Sequence, residues 1–530
     1  MRFSHSGGDS LLERRIRQCE EALDREVLQG GRTGIEKESL RVSPAGTLAE
    51  TPHPRAFGSA LTHPHLTTDY SEAMLEFITD PHASVTAVLD QLQALHRFVH
   101  ARLEDEMLWC TSMPCVLHGD DSIPIARYGE SNPGMMKTVY RRGLGHRYGR
   151  PMQVISGVHF NFSFAPELWP ALRALEGSDE PLQAYRSRRY MDLTRNLQRY
   201  GWLVPYLFGA SPAVCKSFVG PVLHRLQEFN ENTLYDPWAT SLRLGDIGYT
   251  NKREHEVGIR ADYNSLEGYI ETLSCAISTP SPEWERIGVV VNGRWEQLNA
   301  NILQIENEYY TTVRPKQPLQ GLEKPVRALR LRGVDYVELR SVDVNAFDPL
   351  GINETQLRFL QAFMWYGLLK DSPPITDAEH AENDRNLIET AHHGRHPEFR
   401  LLRSGKEVPL RVWAAEILDE MQAVCALLDG GSDGPWCQAL AEQRALLATP
   451  EATPSARMLE RMHADGMGFF HFAQARSREH HEYFCNLPPD SESEAILEAE
   501  ARASLEAQAR LEAEPQRPFG EFLQGYFAQE

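Results

Sequence analysis

Glu36 and Glu38, in the run Gly34-Ile35-Glu36-Lys37-Glu38-Ser39-Leu40-Arg41-Val42, are spaced for metal chemistry. On a strand, alternate residues share a face, so both carboxylates project the same way. Two strand residues span roughly 6.5–7 Å, a distance at which like charges repel unless a cation sits between them. Hard divalent metals are the usual partner for such oxygens. Further ligand types recur along the chain: Asp69 and Glu76, His159, and Glu338 with Arg340 two positions on. A polar strand face on its own is ordinarily just solvated. Several such faces in one chain point instead to a shared cavity lined by carboxylates and one imidazole, a donor set that suits Mg²⁺, or Mn²⁺, better than a zinc thiolate site.

The elements that must position these groups follow from periodicity. Residues 10–29 carry apolar residues at helical spacing, as do residues 84–108. Gln153–Phe164 alternates, with Val154, Val158, Phe160 and Phe162 on one face and Gln153, His159, Asn161 and Ser163 on the other. Two further alternating runs, Asn301–Arg314 and Val334–Val342, place Gln304, Glu306, Glu308 and Tyr310 on one polar face, and Tyr336, Glu338 and Arg340 on another. Asp69 and Glu76, seven apart, fit either two turns of a helix or a strand ending Leu75-Glu76-Phe77-Ile78, and the residues leave both open. Val289-Val290-Val291-Asn292-Gly293-Arg294-Trp295 predicts a hairpin with a type I′ turn. From about residue 354 the chain reads as mostly helical, ending in an Ala/Glu-rich helix over Ser491–Glu514. The expected fold is a single α+β unit over 1–530: antiparallel strands with one polar face, backed by helices.

Bulk properties narrow the function. The formal net charge is -20, which repels nucleic acid and anionic lipid surfaces but leaves small anionic substrates free to find local cations. No run approaches the roughly 18 apolar residues of a membrane span, and residues 1–8 lack the order of a signal peptide. The eight cysteines are scattered, without a C-x-x-C pair, so the expectation is a cytoplasmic protein with reduced thiols. P-loop, dinucleotide-binding, H-E-x-x-H and G-x-S-x-G patterns are all missing. His392-His393 with His396, and His480-His481, lie among charged residues and are expected on the surface; Cys110 and Cys115 are expected as small buried apolar groups.

A series of segments resembles glutamate–cysteine ligase (γ-glutamylcysteine synthetase) of the proteobacterial type. They are the Glu36/Glu38 run, Gly58-Ser59-Ala60-Leu61-Thr62-His63 with Thr67-Thr68-Asp69-Tyr70, and Met152 to Phe162. The series continues with Trp202-Leu203-Val204-Pro205-Tyr206, Thr240-Ser241-Leu242-Arg243-Leu244, Leu303-Gln304-Ile305-Glu306-Asn307-Glu308 and Tyr336-Val337-Glu338-Leu339-Arg340-Ser341. The likeness runs in order from about residue 10 to 370 and is loose beyond about 375. It implies a glutamine synthetase-like funnel of antiparallel strands. The implied reaction is ATP-dependent ligation of the L-glutamate γ-carboxylate to the L-cysteine amine through γ-glutamyl phosphate, in a monomer acting on small molecules.

By the same resemblance, Glu36, Glu38, Asp69, Glu76, His159 and Glu338 hold magnesium, and Arg340 stabilises the transferring phosphoryl group. Tyr140, Leu144, Gln153, Tyr249 and Tyr310 line the cysteine pocket, with Arg243 as carboxylate anchor and Tyr70 joining them where the family often has phenylalanine. Arg314 and Lys316 are expected at the ATP phosphates. Lys37 replaces a usual arginine on the face away from the metals. Alternatives consistent with the same residues are a γ-glutamyl ligase for another amine, a non-catalytic metal or amino-acid binder, and a metal-dependent hydrolase.

Overall fold

The computed structural model describes residues 10–220, 224–248 and 260–529. Its centre is a seven-stranded antiparallel sheet: β1 (Arg32–Val42), β2 (Leu66–Thr68), β3 (Met74–Ile78), β4 (Met107–Leu108), β5 (Val158–Ser163), β6 (Val313–Lys316) and β7 (Tyr336–Val342). The strand order is β6-β7-β5-β1-β3-β2, with β4 paired to the far end of β1.

The alternation of β1 divides its residues as the sequence predicts. Ile35 is buried on the rear face in a core with Phe77, Val158, Phe160, Phe162, Val337 and Leu339. Helices α1 (Val85–His100), α3 (Leu182–Tyr200) and α4 (Glu354–Leu369) contribute Leu92, Leu193 and Phe363 to the same core. Lys37 is also on this rear face, its Nζ 2.9 Å from His96 Nε2 of α1, and burial pulls its amine down to about 7. The front face is polar along its middle. It turns apolar at the end of β1, where Leu40 and Val42 join a second core with Tyr70, Met74 and Leu144. In front stands α2 (Asn132–Tyr148), started by Ser131, whose hydroxyl accepts from the Gly134 N–H.

Several expectations are revised by the fold. The 10–29 helix is two, Leu11–Ala22 and Arg25–Gln29, because Leu23 and Asp24 are extended. The helix expected over 84–108 stops at His100 and gives way to β4. Glu76 is a strand residue, settled by its pairing opposite Glu38. Gln153 sits on a short 3₁₀ turn, and β5 starts only at Val158. Asn301–Arg314 is not a strand; it forms a 3₁₀ turn at Glu306–Glu308 and joins the sheet only from Val313. The Val290–Trp295 hairpin is present, with Asn292 and Gly293 at φ of 51° and 79°, as a type I′ turn needs. The C-terminal part is mostly helical, including α5 (Phe469–Cys485), α6 (Ser491–Ala513) and α7 (Phe519–Phe527).

The histidines expected on the surface are in part buried. His392 is buried, and Asp246 2.9 Å from its Nε2 and Asp236 3.8 Å from its Nδ1 offset the cost of burying the imidazole. His480 of α5 is buried among Arg476 and the imidazoles of α1. Cys110 and Cys115 are buried, as expected. No helix among the described residues is long and apolar enough to cross a membrane.

Candidate active site

Sheet register brings the acids together. Glu36 pairs with His159 across β1 and β5, Glu38 with Glu76 across β1 and β3, and Glu338 with Asn161 across β7 and β5. Directly opposite residues share a face at close range, so four strands deliver their chemistry to one patch. His159 Nδ1 lies 3.2 Å from Glu36 Oε2 and 3.9 Å from Glu338 Oε1, and His159 Nε2 lies 3.9 Å from Glu38 Oε1. One ligand atom each from Glu36, Glu76 and His159 falls within 4.8 Å of the others. Asp69 sits just past β2, on the same cavity.

The electrostatics of this patch are unbalanced in a way that fits a cation. Burial raises the Glu76 carboxyl well above its ordinary range, and the charges of Glu36, Asp69 and Glu38 push it the same way. Burial also raises Glu38, although His159 opposes it. For Glu338 burial is outweighed by Lys316, Arg340, Arg314 and His159, which hold the carboxyl well below its usual range. Glu338 Oε2 is buried and accepts no hydrogen bond. A buried lone pair without a donor, beside clustered carboxylates and an imidazole, fits a hard divalent cation coordinated by oxygen with one nitrogen. All six expected ligands, Glu36, Glu38, Asp69, Glu76, His159 and Glu338, line one cavity of about 650 Å³.

Cations border the acids. Arg340 Nη1 is 3.2 Å from Glu338 Oε1, Lys316 Nζ 3.8 Å from the same oxygen, and Arg314 Nη1 4.0 Å from Glu338 Oε2. Arg314 also donates to the carbonyls of Asn307 and Tyr309 at 2.9 and 2.6 Å, so it shapes its own loop as well.

The residues expected at the cysteine pocket separate into lining and support. Tyr140 and Tyr310 line the cavity. Gln153 lies behind, its side-chain amide bonded to the Tyr310 hydroxyl at 2.7 Å. Leu144 and Tyr70 pack in the second core rather than on the cavity, and the buried Tyr70 hydroxyl has no hydrogen-bond partner. Arg243 is buried beside Gly157. It donates to the Arg340 carbonyl at 2.7 Å, and its Nη1, 3.6 Å from Asp343 Oδ1, makes no hydrogen bond. Tyr249 lies outside the described residues.

Further groups act at the site. Asn161, which the alternation puts on the polar face with His159 but with no assigned role, donates to Glu36 Oε1 at 3.0 Å. Gly157 donates its N–H to Glu38 Oε2 at 2.7 Å. Arg141 of α2 is bonded to the Asp69 carbonyl, and Lys137 and Arg141 lie over the Tyr128 ring at 5.1 and 4.7 Å. Their four-residue spacing marks one helix face. Behind Tyr140, a fully buried Arg147–Glu308 pair at 2.7 Å is surrounded by Gln297, Gln304 and Tyr148. Gln304 Nε2 donates to the Tyr140 carbonyl at 3.2 Å, which ties this network to the cavity wall. Glu308, Gln304 and Glu306 thus do not share a polar strand face with Tyr310. The 3₁₀ turn sends Glu308 and Gln304 into the wall and the Glu306 carboxylate to the Val326 N–H.

Comparison with known proteins places almost the whole chain among relatives of one family. Residues 16–390 match the family model described as glutamate-cysteine ligase. The glutamate–cysteine ligase of Alcanivorax borkumensis is 48% identical over 97% of this chain and 99% of its own. That of Azotobacter vinelandii is 47% identical over 98% of both. Among solved structures, the glutamate–cysteine ligase of Francisella tularensis in complex with AMP superposes with a TM-score of 0.88. It is 34% identical and covers 94% of this chain and 97% of that one.

Proposed function

Since the chain belongs to the glutamate–cysteine ligase family, we propose that its acidic funnel joins the γ-carboxylate of L-glutamate to the amine of L-cysteine, converting ATP to ADP and phosphate. The observation that carries this reading is the row of Glu36, Glu38, Glu76, His159 and Glu338 on one sheet face with Arg340, Arg314 and Lys316 along its edge. A phosphoryl group passing between two anions needs positioning and neutralisation more than covalent help, and this face offers both. The AMP-bound Francisella relative supports use of an adenine nucleotide.

Glu36, Glu38, Asp69, Glu76, His159 and Glu338 would hold Mg²⁺, with Mn²⁺ as the alternative. Bound there, the metal supplies charge neutralisation at the phosphate oxygens. The chain's own residues do the rest. Asn161 and His159 fix the Glu36 carboxylate from two sides, and the Gly157 N–H fixes Glu38. Arg340, steadied at its side chain by Glu338 and at its carbonyl by Arg243, presents its guanidinium to the transferring phosphoryl group. Arg314 and Lys316 attract the nucleotide phosphates. Transfer of the γ-phosphoryl to the glutamate γ-carboxylate forms an acyl phosphate. The cysteine amine, held near Tyr140 and Tyr310, then forms the C–N bond as the C–O bond to phosphate breaks. Arg243, the proposed anchor for a substrate carboxylate, lies behind the cavity wall with its Nη1 3.6 Å from Asp343 Oδ1.

The cavity is lined by residues from Glu36 to Tyr526, which supports reading the chain as one catalytic unit; a monomer is the proposed state. A reaction that consumes ATP and a free thiol suits the reducing cytoplasm, which is the compartment proposed for it. The test is ADP release with glutamate and Mg²⁺ while the second amino acid is varied. Release that depends on cysteine, with γ-glutamylcysteine as product, is expected. Release with another amine but not with cysteine would make the chain a different γ-glutamyl ligase.

A further inference from the structure

Two residues of the cavity wall, Leu511 and Tyr526, come from beyond the part of the chain that the family model matches. They belong to α6 and to the segment that carries α7. That segment is fixed at both ends. Ahead of α7, Gln516 Oε1 accepts from the Asn132 N–H at 3.0 Å and the Arg517 carbonyl accepts from Asn132 Nδ2 at 2.9 Å, both at the start of α2. Along α7, Phe519, Leu523 and Tyr526 pack on Met136 and Val139 of α2, and the Phe519 ring meets Trp295 edge-on at 5.1 Å. After α7, Gln529 grips the opposite wall. Its Oε1 accepts from the Lys324 N–H and its Nε2 donates to the Leu322 carbonyl, each at 3.0 Å.

The wall gripped there is the loop 317–324. Leu319 and Leu322 line the cavity yet are 48% and 47% exposed, so polar contacts rather than apolar burial set the loop: Glu323 holds Arg327 and Arg332 on one side, and Gln529 holds Leu322 and Lys324 on the other. It follows directly on Arg314 and Lys316, the cations beside Glu338. An apolar surface continuous with two phosphate-seeking cations is the chemistry of a nucleotide site: a flat base on one part, an anionic tail on the other.

We propose that residues 516–529 form a clasp that joins α2 to the loop 317–324 and so positions that loop as the base-side wall of the nucleotide site, with Gln529 as the positioning residue and Tyr526 facing the nucleotide. This rests on the ligase reading above, and its test separates the two. ATP binding by calorimetry and steady-state ADP release are measured for the full chain, for Gln529→Ala, for Tyr526→Ala, and for a chain ended after Glu514.

For Gln529→Ala the Kd and KM for ATP rise about 3–10-fold, the worth of one or two lost hydrogen bonds. Its kcat, its KM for glutamate and cysteine, and its melting temperature stay close to those of the parent. The shortened chain shows a larger loss of ATP affinity. If it fails to fold, Gln529→Ala decides. Unchanged ATP affinity in Gln529→Ala overturns the clasp whatever Tyr526→Ala does, as does an equal loss of affinity for all three substrates. A parent protein that binds ATP without releasing ADP overturns the ligase reading and leaves the clasp standing on the binding data.

Discussion

At the scale of single residues, Glu38 shows how charge and hydrogen bonding divide the work. Its Oε2 accepts the buried Gly157 N–H, while its Oε1 faces His159 and the acid row. Glu38→Gln keeps an acceptor for Gly157 but removes the charge; Glu38→Ala removes both. Both variants should lose activity by more than about 100-fold, because even groups one shell further from a metal cost 10–100-fold when changed. Only Glu38→Ala should also lose about 1–3 kcal/mol of stability, from the orphaned N–H. Urea melts beside initial rates check this, and a Glu38→Gln protein with near-normal turnover would remove Glu38 from the site. Arg243 carries a second lesson. The family resemblance implies a carboxylate anchor, whereas the fold sets it under the Arg340 carbonyl, so its loss should disturb catalysis as well as substrate affinity.

At the scale of elements, each central strand is a partition with chemistry in front and packing behind. On β7, Glu338 and Arg340 face the cavity while Val337, fully buried, packs in the rear core. Val337→Asp buries a charge without a partner and should cost several kcal/mol, leaving little folded protein where Glu38→Gln leaves it abundant. Helices α1 and α5 hold a different feature: His96 and His100 stack on Phe484, and His100 Nδ1 meets His481 Nδ1 at 3.0 Å. Burial lowers His96 and His100 well below the ordinary imidazole range and brings His480 down to about 3. The unfolded chain therefore binds more protons below about pH 6.5, and stability must fall as pH drops from there toward 3, with no loss from this source above 6.5. Denaturant melts between pH 8 and 5 should show it, with His480→Gln reducing the proton uptake on unfolding by about one. An unchanged midpoint from pH 7 to 5 would contradict the burial of the cluster.

At the scale of the whole molecule, the eight cysteines are unpaired; only Cys275 and Cys485 are exposed, and burial pushes Cys19 and Cys215 up to about 12. A thiol reagent should therefore titrate two groups quickly in the native protein and eight after unfolding; a count of five or more in the native state would refute this packing. The sequence by itself determined the strand faces that hold Glu36, Glu38, His159, Glu338 and Arg340, because period-two alternation is local and survives any tertiary context. It also determined the family, through the order of its motifs. It did not determine which strand lies beside which, and so left Glu76 between helix and strand until pairing with Glu38 fixed it. Nor did it reveal that Glu308 turns away to neutralise Arg147, that His392 and His480 are buried, or that the last helix reaches the active-site wall. Those are contacts between residues far apart in the chain, and their partners are chosen by register and packing, which no local pattern encodes.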